Sequence, residues 1–154
     1  MANFDTLLLL DGVTGDCGDE TYGEAMGIDH ISWGLSTSRG DGPSAGRVRV
    51  DDLVVRKDVD YASAQLMSCV STRAILPTGT LIFRKAGTDR LEYLKIILKD
   101  VFVASVSLEG PGEGALLSER VVLNFSEIEF QYNSQSQLGS SGISSDFSYQ
   151  MPQQ

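Results

Sequence analysis

The sequence predicts a mainly β protein, a two-sheet antiparallel β-barrel or sandwich with one short α-helix at about residues 60–72. Short apolar runs recur along the chain with turn-forming residues between them, which is typical of antiparallel sandwiches and barrels. About seven runs have this character, and one segment alone has the apolar spacing of a helix. All 154 residues are expected to form a single domain, with a weakly ordered tail from about residue 133.

The stretch from Gly79 to Leu108 carries the clearest pattern. Thr80–Arg84 is rich in β-branched and aromatic residues, and Leu91–Leu98 alternates between two faces. A glycine-containing segment at 86–89 predicts a hairpin loop between these two runs. A polar Lys-Asp pair then precedes Val101–Leu108, so the stretch is interpreted as a three-stranded β-meander.

The other predicted strands are Phe4–Leu10, Ile28–Ser36, Gly46–Arg56 and Glu119–Tyr132. The first is apolar on both faces, which predicts that both faces are covered. Alternation slips by one residue at 51–52 and near 126, and a β-bulge at each place would explain the slip. The Gly-rich, acidic segment 15–27 is predicted to be a loop, and residues near 147–151 suggest a short last strand.

The helix is expected to begin near Asp60, whose carboxylate can cap the amide of Ser63 or its neighbour. One apolar stripe follows at helical spacing and consists of Ala62, Leu66, Cys69 and Val70. Pro77 and Gly79 are expected to close this segment before the meander.

The charge balance excludes several classes of function. With 12 basic and 21 acidic residues the formal net charge is −9, which argues against binding to nucleic acid or to an anionic membrane surface. The start of the chain lacks the basic and apolar regions of a cleaved signal peptide, and no membrane-spanning segment is predicted. Two cysteines, Cys17 and Cys69, form neither a disulfide framework nor a metal-binding spacing.

No pattern in the chain predicts catalysis, a cofactor or a metal site. Residues 42–46 match the G-x-S-x-G motif of hydrolases around Ser44, but that motif needs a strand before it and a helix after it. A flexible loop is the better interpretation of this segment, and hydrolysis is the least favoured of the functions that the sequence suggests. His30 is the sole histidine, and it is better interpreted as a polar residue on a strand face than as a metal ligand. The acidic residues of 11–20 suggest a solvated loop more than a calcium site, because EF-hand spacing is absent.

Several motifs, in this order and spacing, resemble the Hcp (haemolysin-coregulated protein) family, which forms the inner tube of type VI secretion systems. They are Phe4-Asp5, Leu10-Asp-Gly12, Ile31-Ser-Trp-Gly34, Val55-Arg-Lys-Asp-Val-Asp60, Leu81-Ile-Phe-Arg-Lys-Ala-Gly87, Leu91-Glu-Tyr-Leu94 and Val122-Leu-Asn-Phe125. The resemblance implies a fold like that of phage tail-tube proteins. It also implies a homohexameric ring, stacking of rings into a tube, and secretion from the bacterial cytoplasm without a signal peptide. The implied partners are the sheath, spike and baseplate proteins and small effector proteins carried in the lumen.

The resemblance also assigns two candidate sites. Ser32 matches a strand that faces the lumen and is the expected effector contact, although a plain solvent-facing serine is the other interpretation. Trp33, of opposite parity, is expected in the core. The family's extended loop, which reaches a neighbouring subunit or ring, corresponds here to Thr37, Ser38, Arg39, Gly40, Asp41, Gly42, Pro43, Ser44, Ala45 and Gly46.

The main alternative to a tube subunit is a β-barrel carrier of a small molecule. Such a carrier needs a closed interior lined by apolar side chains and empty enough for a ligand. The bulky residues of the predicted strands are instead expected to fill the core.

Overall fold

A computed structural model of the chain describes residues 5–42, 46–85, 91–111, 113–114, 116–133 and 144–152. Within these ranges the chain forms eleven strands and one helix. In chain order they are β1 (Thr6–Leu10), β2 (Met26–Gly27), β3 (His30–Ser32), β4 (Leu35–Thr37), β5 (Val48–Val50), β6 (Leu53–Asp58), α1 (Ser63–Thr72), β7 (Ile75–Arg84), β8 (Glu92–Glu109), β9 (Ser118–Asn124), β10 (Glu127–Asn133) and β11 (Ser144–Gln150). The predicted class, mainly β with one helix, is confirmed.

Nine of the strands form one antiparallel sheet that folds over on itself as a sandwich. Its order is β2-β1-β7-β8-β9-β6-β3, and β10 pairs with both β8 and β11. The end strands β2 and β3 do not pair with each other in the described part of the chain, so strand pairing does not close a barrel. The chain itself links the two ends, because the amide of Ile28 donates to the Thr6 carbonyl and that of Asp29 to the Arg56 carbonyl.

The longest strand, β8, corrects the predicted meander. Leu91–Leu98 and Val101–Leu108 are not two strands, because β8 runs without reversal from Glu92 to Glu109. Asp100 has φ 52°, a left-handed conformation, although the ladder with β7 continues past it without a register shift. The buried residues change parity there, from Ile96 and Leu98 to Val101 and Val103. The polar pair therefore marks a local change of backbone conformation, with no inserted residue, that keeps the apolar side chains of both halves on the core side.

Strand β7 begins earlier than predicted, at Ile75, and includes Pro77. Leu76 pairs with Val101 and Thr78 with Lys99, so Pro77 lies opposite the left-handed Asp100. Proline lacks an amide N–H and is tolerated in a sheet at such irregular positions. The expected hairpin loop at 86–89 lies outside the described residues.

The slip predicted near Ser126 is an interruption of the strand, but it is not the expected bulge, because Asn124 pairs with Phe102 and Glu127 with Lys99 without an extra residue. It separates β9 from β10, and it returns both Phe125 and Ile128 to the core. Ser126 donates its backbone N–H to the Lys99 carbonyl at 2.9 Å and its hydroxyl to the Asp100 carboxylate at 2.7 Å. The two irregular positions, Asp100 and Ser126, thus contact each other across β8 and the β9–β10 interruption.

The predicted strand Ile28–Ser36 is interrupted at Trp33-Gly34 and forms β3 and β4. The slip predicted at 51–52 is confirmed, since it separates β5 from β6. The amide of Asp51 donates to the Gly34 carbonyl at 3.0 Å, so the two interruptions lie side by side. Beyond this point β4 and β5 leave the main sheet and pair only with each other.

The prediction that β1 is covered on both faces is confirmed within the chain. Leu8 and Leu10 lie in the main core, whereas Leu7 packs with Ala25 and Ile82 in a second cluster. The predicted loop at 15–27 provides this cover, and it differs from the prediction in containing the short strand β2. Phe4 lies outside the described residues.

The helix begins at Ser63, three residues after its predicted start. Asp60 does bind the neighbouring amide, since its carboxylate accepts from Ala62 N at 3.0 Å. The predicted stripe packs as expected, with Ala62 and Leu66 buried and Cys69 and Val70 against the same core. In the described ranges, no helix has the length and apolar character needed to cross a membrane.

The suggested last strand corresponds to β11, which pairs along its whole length with β10. Residues 134–143 of the predicted weakly ordered tail lie outside the described ranges.

Candidate binding groove and projecting arm

The outward-facing sides of β3, β6 and β9 form an open groove of about 610 Å³, here called the outer groove. Ile31, Val55 and Val121 occupy the core side of these strands, so residues of the other parity point away from the core. The lining residues are Asp29, His30, Ser32, Val54, Arg56, Ser118 and Arg120.

Ser32 is exposed at one end of this groove, opposite Val54 of β6. Its hydroxyl is therefore accessible to another molecule, as the expected effector contact requires. Trp33 is half-buried and packs against the core, in agreement with its opposite parity.

The centre of the outer groove is basic. Arg56 of β6 has two direct neighbours in the ladder, His30 of β3 on one side and Arg120 of β9 on the other. Among the described residues, no carboxylate lies within ion-pair distance of either arginine. Sequence analysis did not find this pair, because its two members are 64 positions apart and only the strand register brings them together.

The other end of the groove is acidic. Burial raises the pKa of Asp29, and the nearby Asp58 carboxylate raises it further, while Lys57 lowers it. The Asp58 carboxylate lies close enough to disfavour the ionisation of Asp29, so negative charge is concentrated at this end. The groove therefore changes from basic to acidic along its length.

A buried ionic network lies on the core side of the same strands. Lys57 Nζ contacts the Glu119 carboxylate at 2.8 Å and the Asp60 carboxylate at 2.7 Å, and it donates to the Asp58 carbonyl. Ser63 donates its hydroxyl to Glu119 at 2.7 Å. The network fixes the start of α1 to β6 and β9, and so supports the groove from behind. The charged residue at a core parity in β6, after Leu53 and Val55, is the sequence signal that would have found it.

The segment that leaves the main sheet is a projecting arm, consisting of β4, β5 and the loop between them. Thr37 donates its hydroxyl to the Arg47 carbonyl at 3.0 Å, and Gly46 donates its amide to the Ser38 carbonyl. The predicted contact loop, 37–46, is the tip of this arm, with Thr37 the last residue of β4. Its described residues, 37–42 and 46, are exposed, while Pro43, Ser44 and Ala45 lie outside the described residues.

The arm is amphipathic. Leu35, Thr37, Val48 and Val50 share one face, since Leu35 pairs with Val50 and Thr37 with Val48. Val50 packs against the core at the base, but Leu35 and Val48 remain 44% and 41% exposed. An apolar ribbon face of this kind is suited to contact with another protein surface.

An ion pair and a hydrogen bond between side chains hold the acidic loop that covers β1. Arg84 binds the Asp19 carboxylate at 2.8 Å, and both side chains are almost completely buried. The hydrogen bond from Arg84 holds the pKa of Asp19 below its ordinary value; burial opposes this, and the amides of Tyr22 and Thr21 add to it. Burial and the Glu92 carboxylate, which accepts from the Tyr22 hydroxyl at 2.8 Å, raise the pKa of Tyr22 to about 12. Within the described ranges, no three potential metal ligands come together.

The fold and these two features define a class of protein: an antiparallel β-sandwich with a projecting amphipathic arm and a charged outer groove. The family model for the type VI secretion system effector, Hcp, matches residues 7–132. The chain is 37% identical over 138 residues to Protein hcp1 of Pseudomonas aeruginosa, covering 85% of this chain and 84% of that protein.

Solved structures agree. The crystal structure of Hcp1 from Salmonella typhimurium aligns with a TM-score of 0.82 at 27% identity, over 97% of this chain and 96% of that one. A type VI secretion system effector from Yersinia pestis has the same fold, with a TM-score of 0.80 at 21% identity, over 96% of this chain and 100% of that one. The chain therefore belongs to the Hcp family, the tube-protein family of the type VI secretion system.

Proposed function

We propose that this chain is the structural subunit of the type VI inner tube. In this proposal it closes into a hexameric ring, rings stack into a tube within the sheath, and the tube is secreted together with small effectors in its lumen. The subunit acts by assembly and has no catalysis of its own. It starts in the bacterial cytoplasm, leaves through the type VI apparatus, and contacts the spike and baseplate proteins at the tube ends.

The observation that carries the proposal is the projecting arm. A two-stranded hairpin is at best marginally stable in water, and this one is paired with no other strand in the described part of the chain. Its apolar face exposes Leu35 and Val48, so the arm is incomplete in an isolated subunit. A neighbouring copy that covers this face would bury the two side chains and order the arm.

Effector binding is assigned to the outer groove. Ser32 is exposed there on strand β3, which a main-sheet partner, β6, holds in register. In a ring whose lumen faces this groove, each subunit would present the same contacts, and weak contacts would add up through multivalency.

A small-molecule carrier is less favoured by the packing. Side chains from every layer fill the described interior, among them the fully buried Leu53, Leu81 and Leu98. A ligand of ordinary size would have to displace them.

The test is the mass of the purified chain by light scattering on a sizing column, with electron microscopy of the same fraction. A hexamer has a mass of about 100 kDa, six times the 16.6 kDa of one chain, and appears as a ring with a central hole. A monomer at all concentrations used would reject the tube proposal.

The lumen assignment has a separate test. Ser32→Gln should reduce the amount of effector protein that the secreting bacterium releases, while the tube protein itself is still released. Mass spectrometry of the culture fluid measures both. Ser71→Gln, at an exposed position near the end of α1, is the control. Equal release of effectors from both variants would reject the role of Ser32.

A further inference from the structure

Two arginines stand directly opposite each other in the outer groove. Arg56 and Arg120 are Cα partners in the β6–β9 ladder, and both side chains point away from the core. Like charges at directly opposite positions of a sheet destabilise it. The chain holds 21 acidic and 12 basic residues, so a neighbour of opposite charge would be the common arrangement.

Neither arginine has an ion-pair partner in the described part of the chain. Three other cations of the chain are paired there: Lys57 with Glu119, Arg84 with Asp19, and Lys99 with Glu127. The adjacent side chains of the groove row are His30 on β3 and Ser107 on β8, and neither carries a carboxylate. No ion pair among the described residues therefore offsets the repulsion between the two arginines, and an anionic partner would relieve it.

We infer that the outer groove selects cargo proteins by an acidic segment, whose carboxylates bind Arg56 and Arg120 while Ser32 contacts the same segment. This inference rests on the proposed function, which places the groove on the lumen. The guanidinium group offers a planar fork of donors that matches a carboxylate in bidentate fashion. Two such forks side by side fit two carboxylates on one short extended segment.

The groove favours a short acidic peptide over a nucleic acid. A nucleic acid is held through many phosphates at once, whereas this groove has two arginines and then turns acidic at Asp29 and Asp58. The net charge of −9 also repels a long polyanion. A segment with few carboxylates can use the basic centre and stay clear of the acidic end.

The test uses the assembled protein and a fluorescent peptide of alternating Glu and Ser, with its Gln-Ser counterpart as the neutral probe. Binding is followed by fluorescence anisotropy at low ionic strength. The wild type should bind the acidic peptide at least about tenfold more tightly than the neutral one, and Arg56→Gln/Arg120→Gln should remove this difference.

The matched control is Lys85→Gln/Lys99→Gln, which removes the same charge at exposed positions outside both the groove and the arm. Particle mass and circular dichroism are measured on every variant. Equal binding by both double variants, or absence of acidic-peptide binding by a well-formed wild-type ring, overturns the inference. So does tighter binding of a single-stranded oligonucleotide, or loss of the ring in the groove variant alone, which would make the groove a subunit contact. If the wild type forms no ring but still binds the peptide through these arginines, the tube proposal fails and the anionic selectivity of the groove stands.

Discussion

Lys57 and Glu119 are direct partners across β6 and β9, with 2.8 Å between Nζ and Oε2 and no exposure of either side chain. The Lys57 ammonium has three oxygen partners, so its burial is balanced by hydrogen bonds as well as by charge. Because Ser63 binds the same Glu119 oxygen, the pair also determines where the helix meets the sheet. A broken network would leave a buried charge without a partner.

Lys57→Met should lower the free energy of unfolding by about 3–5 kcal/mol, because it leaves the Glu119 carboxylate buried and unpaired. Urea denaturation followed by circular dichroism measures the loss. The control is Lys99→Met, whose ion pair with Glu127 is largely exposed and should be worth at most about 1 kcal/mol. Equal losses in the two variants would contradict the importance of the buried network. Lys57→Met/Glu119→Leu should recover part of the stability, since no buried charge then remains without its partner in the ladder.

Asp100 should tolerate only residues that accept a left-handed conformation. Asp100→Val places a β-branched residue at φ 52° and removes the acceptor of Ser126, so the free energy of unfolding should fall by about 1–3 kcal/mol. Asp100→Asn keeps both the conformational tolerance and an acceptor oxygen and should cost much less. Denaturation midpoints of the two variants test this, and a harmless valine would show that the change of backbone conformation does not depend on residue 100.

The Asp19–Arg84 pair should contribute to stability above the acid range. The pKa of Asp19 is lowered in the folded state from its ordinary 3.8, so its contribution is fully present above that value. It is lost as the pH falls from there through the folded-state pKa, because the unfolded chain then takes up the proton first. The stability difference between wild type and Asp19→Asn should be constant at neutral pH and shrink below about pH 4. Asp16→Asn, at an exposed position of the same loop, is the control, and an equal pH dependence in both variants would contradict the assignment.

The projecting arm is expected to be required for assembly of the ring but not for folding of the subunit. Leu35→Ser/Val48→Ser removes the exposed apolar side chains of the arm, so the ring should dissociate while circular dichroism and the unfolding midpoint change little. The expected shift in mass is from hexamer toward monomer, measured by light scattering. Met67→Ser, on the exposed face of α1 and 40% exposed, is the comparison for a general loss of surface apolarity. An intact ring in the arm variant would assign the subunit contact to another surface.

Parity of apolar residues predicted much of the fold. The slips at 51–52 and near Ser126 are interruptions of regular strands in the structure, because a change of backbone conformation within a strand is visible as a change of alternation. The polar pair at Lys99-Asp100 was assigned wrongly, since a left-handed residue inside a strand and a tight turn use the same kinds of residue. The pairing of β7 across both halves of β8 distinguishes the two, and that pairing is a long-range property.

The candidate site was predicted only in part. Ser32 and the 37–46 loop came from resemblance to a family, and the structure places the described part of that loop on an exposed arm and Ser32 in an open groove. Arg56 and Arg120 were not singled out, because each by itself is an ordinary strand residue. They form a candidate site only because the register of β6 and β9 places them opposite each other.

The amino-acid sequence by itself determined the β class, the single helix, the interruptions at 51–52 and near Ser126, and the membership of the Hcp family. These depend on local periodicity and on ordered motifs, which need no knowledge of distant contacts. The tertiary structure alone decided that two predicted strands are one, that Lys57 meets Glu119, and that Arg56 meets Arg120. Strand register is set by the packing of one face against the core, so residues 62 or 64 positions apart become neighbours only when the sheet has formed.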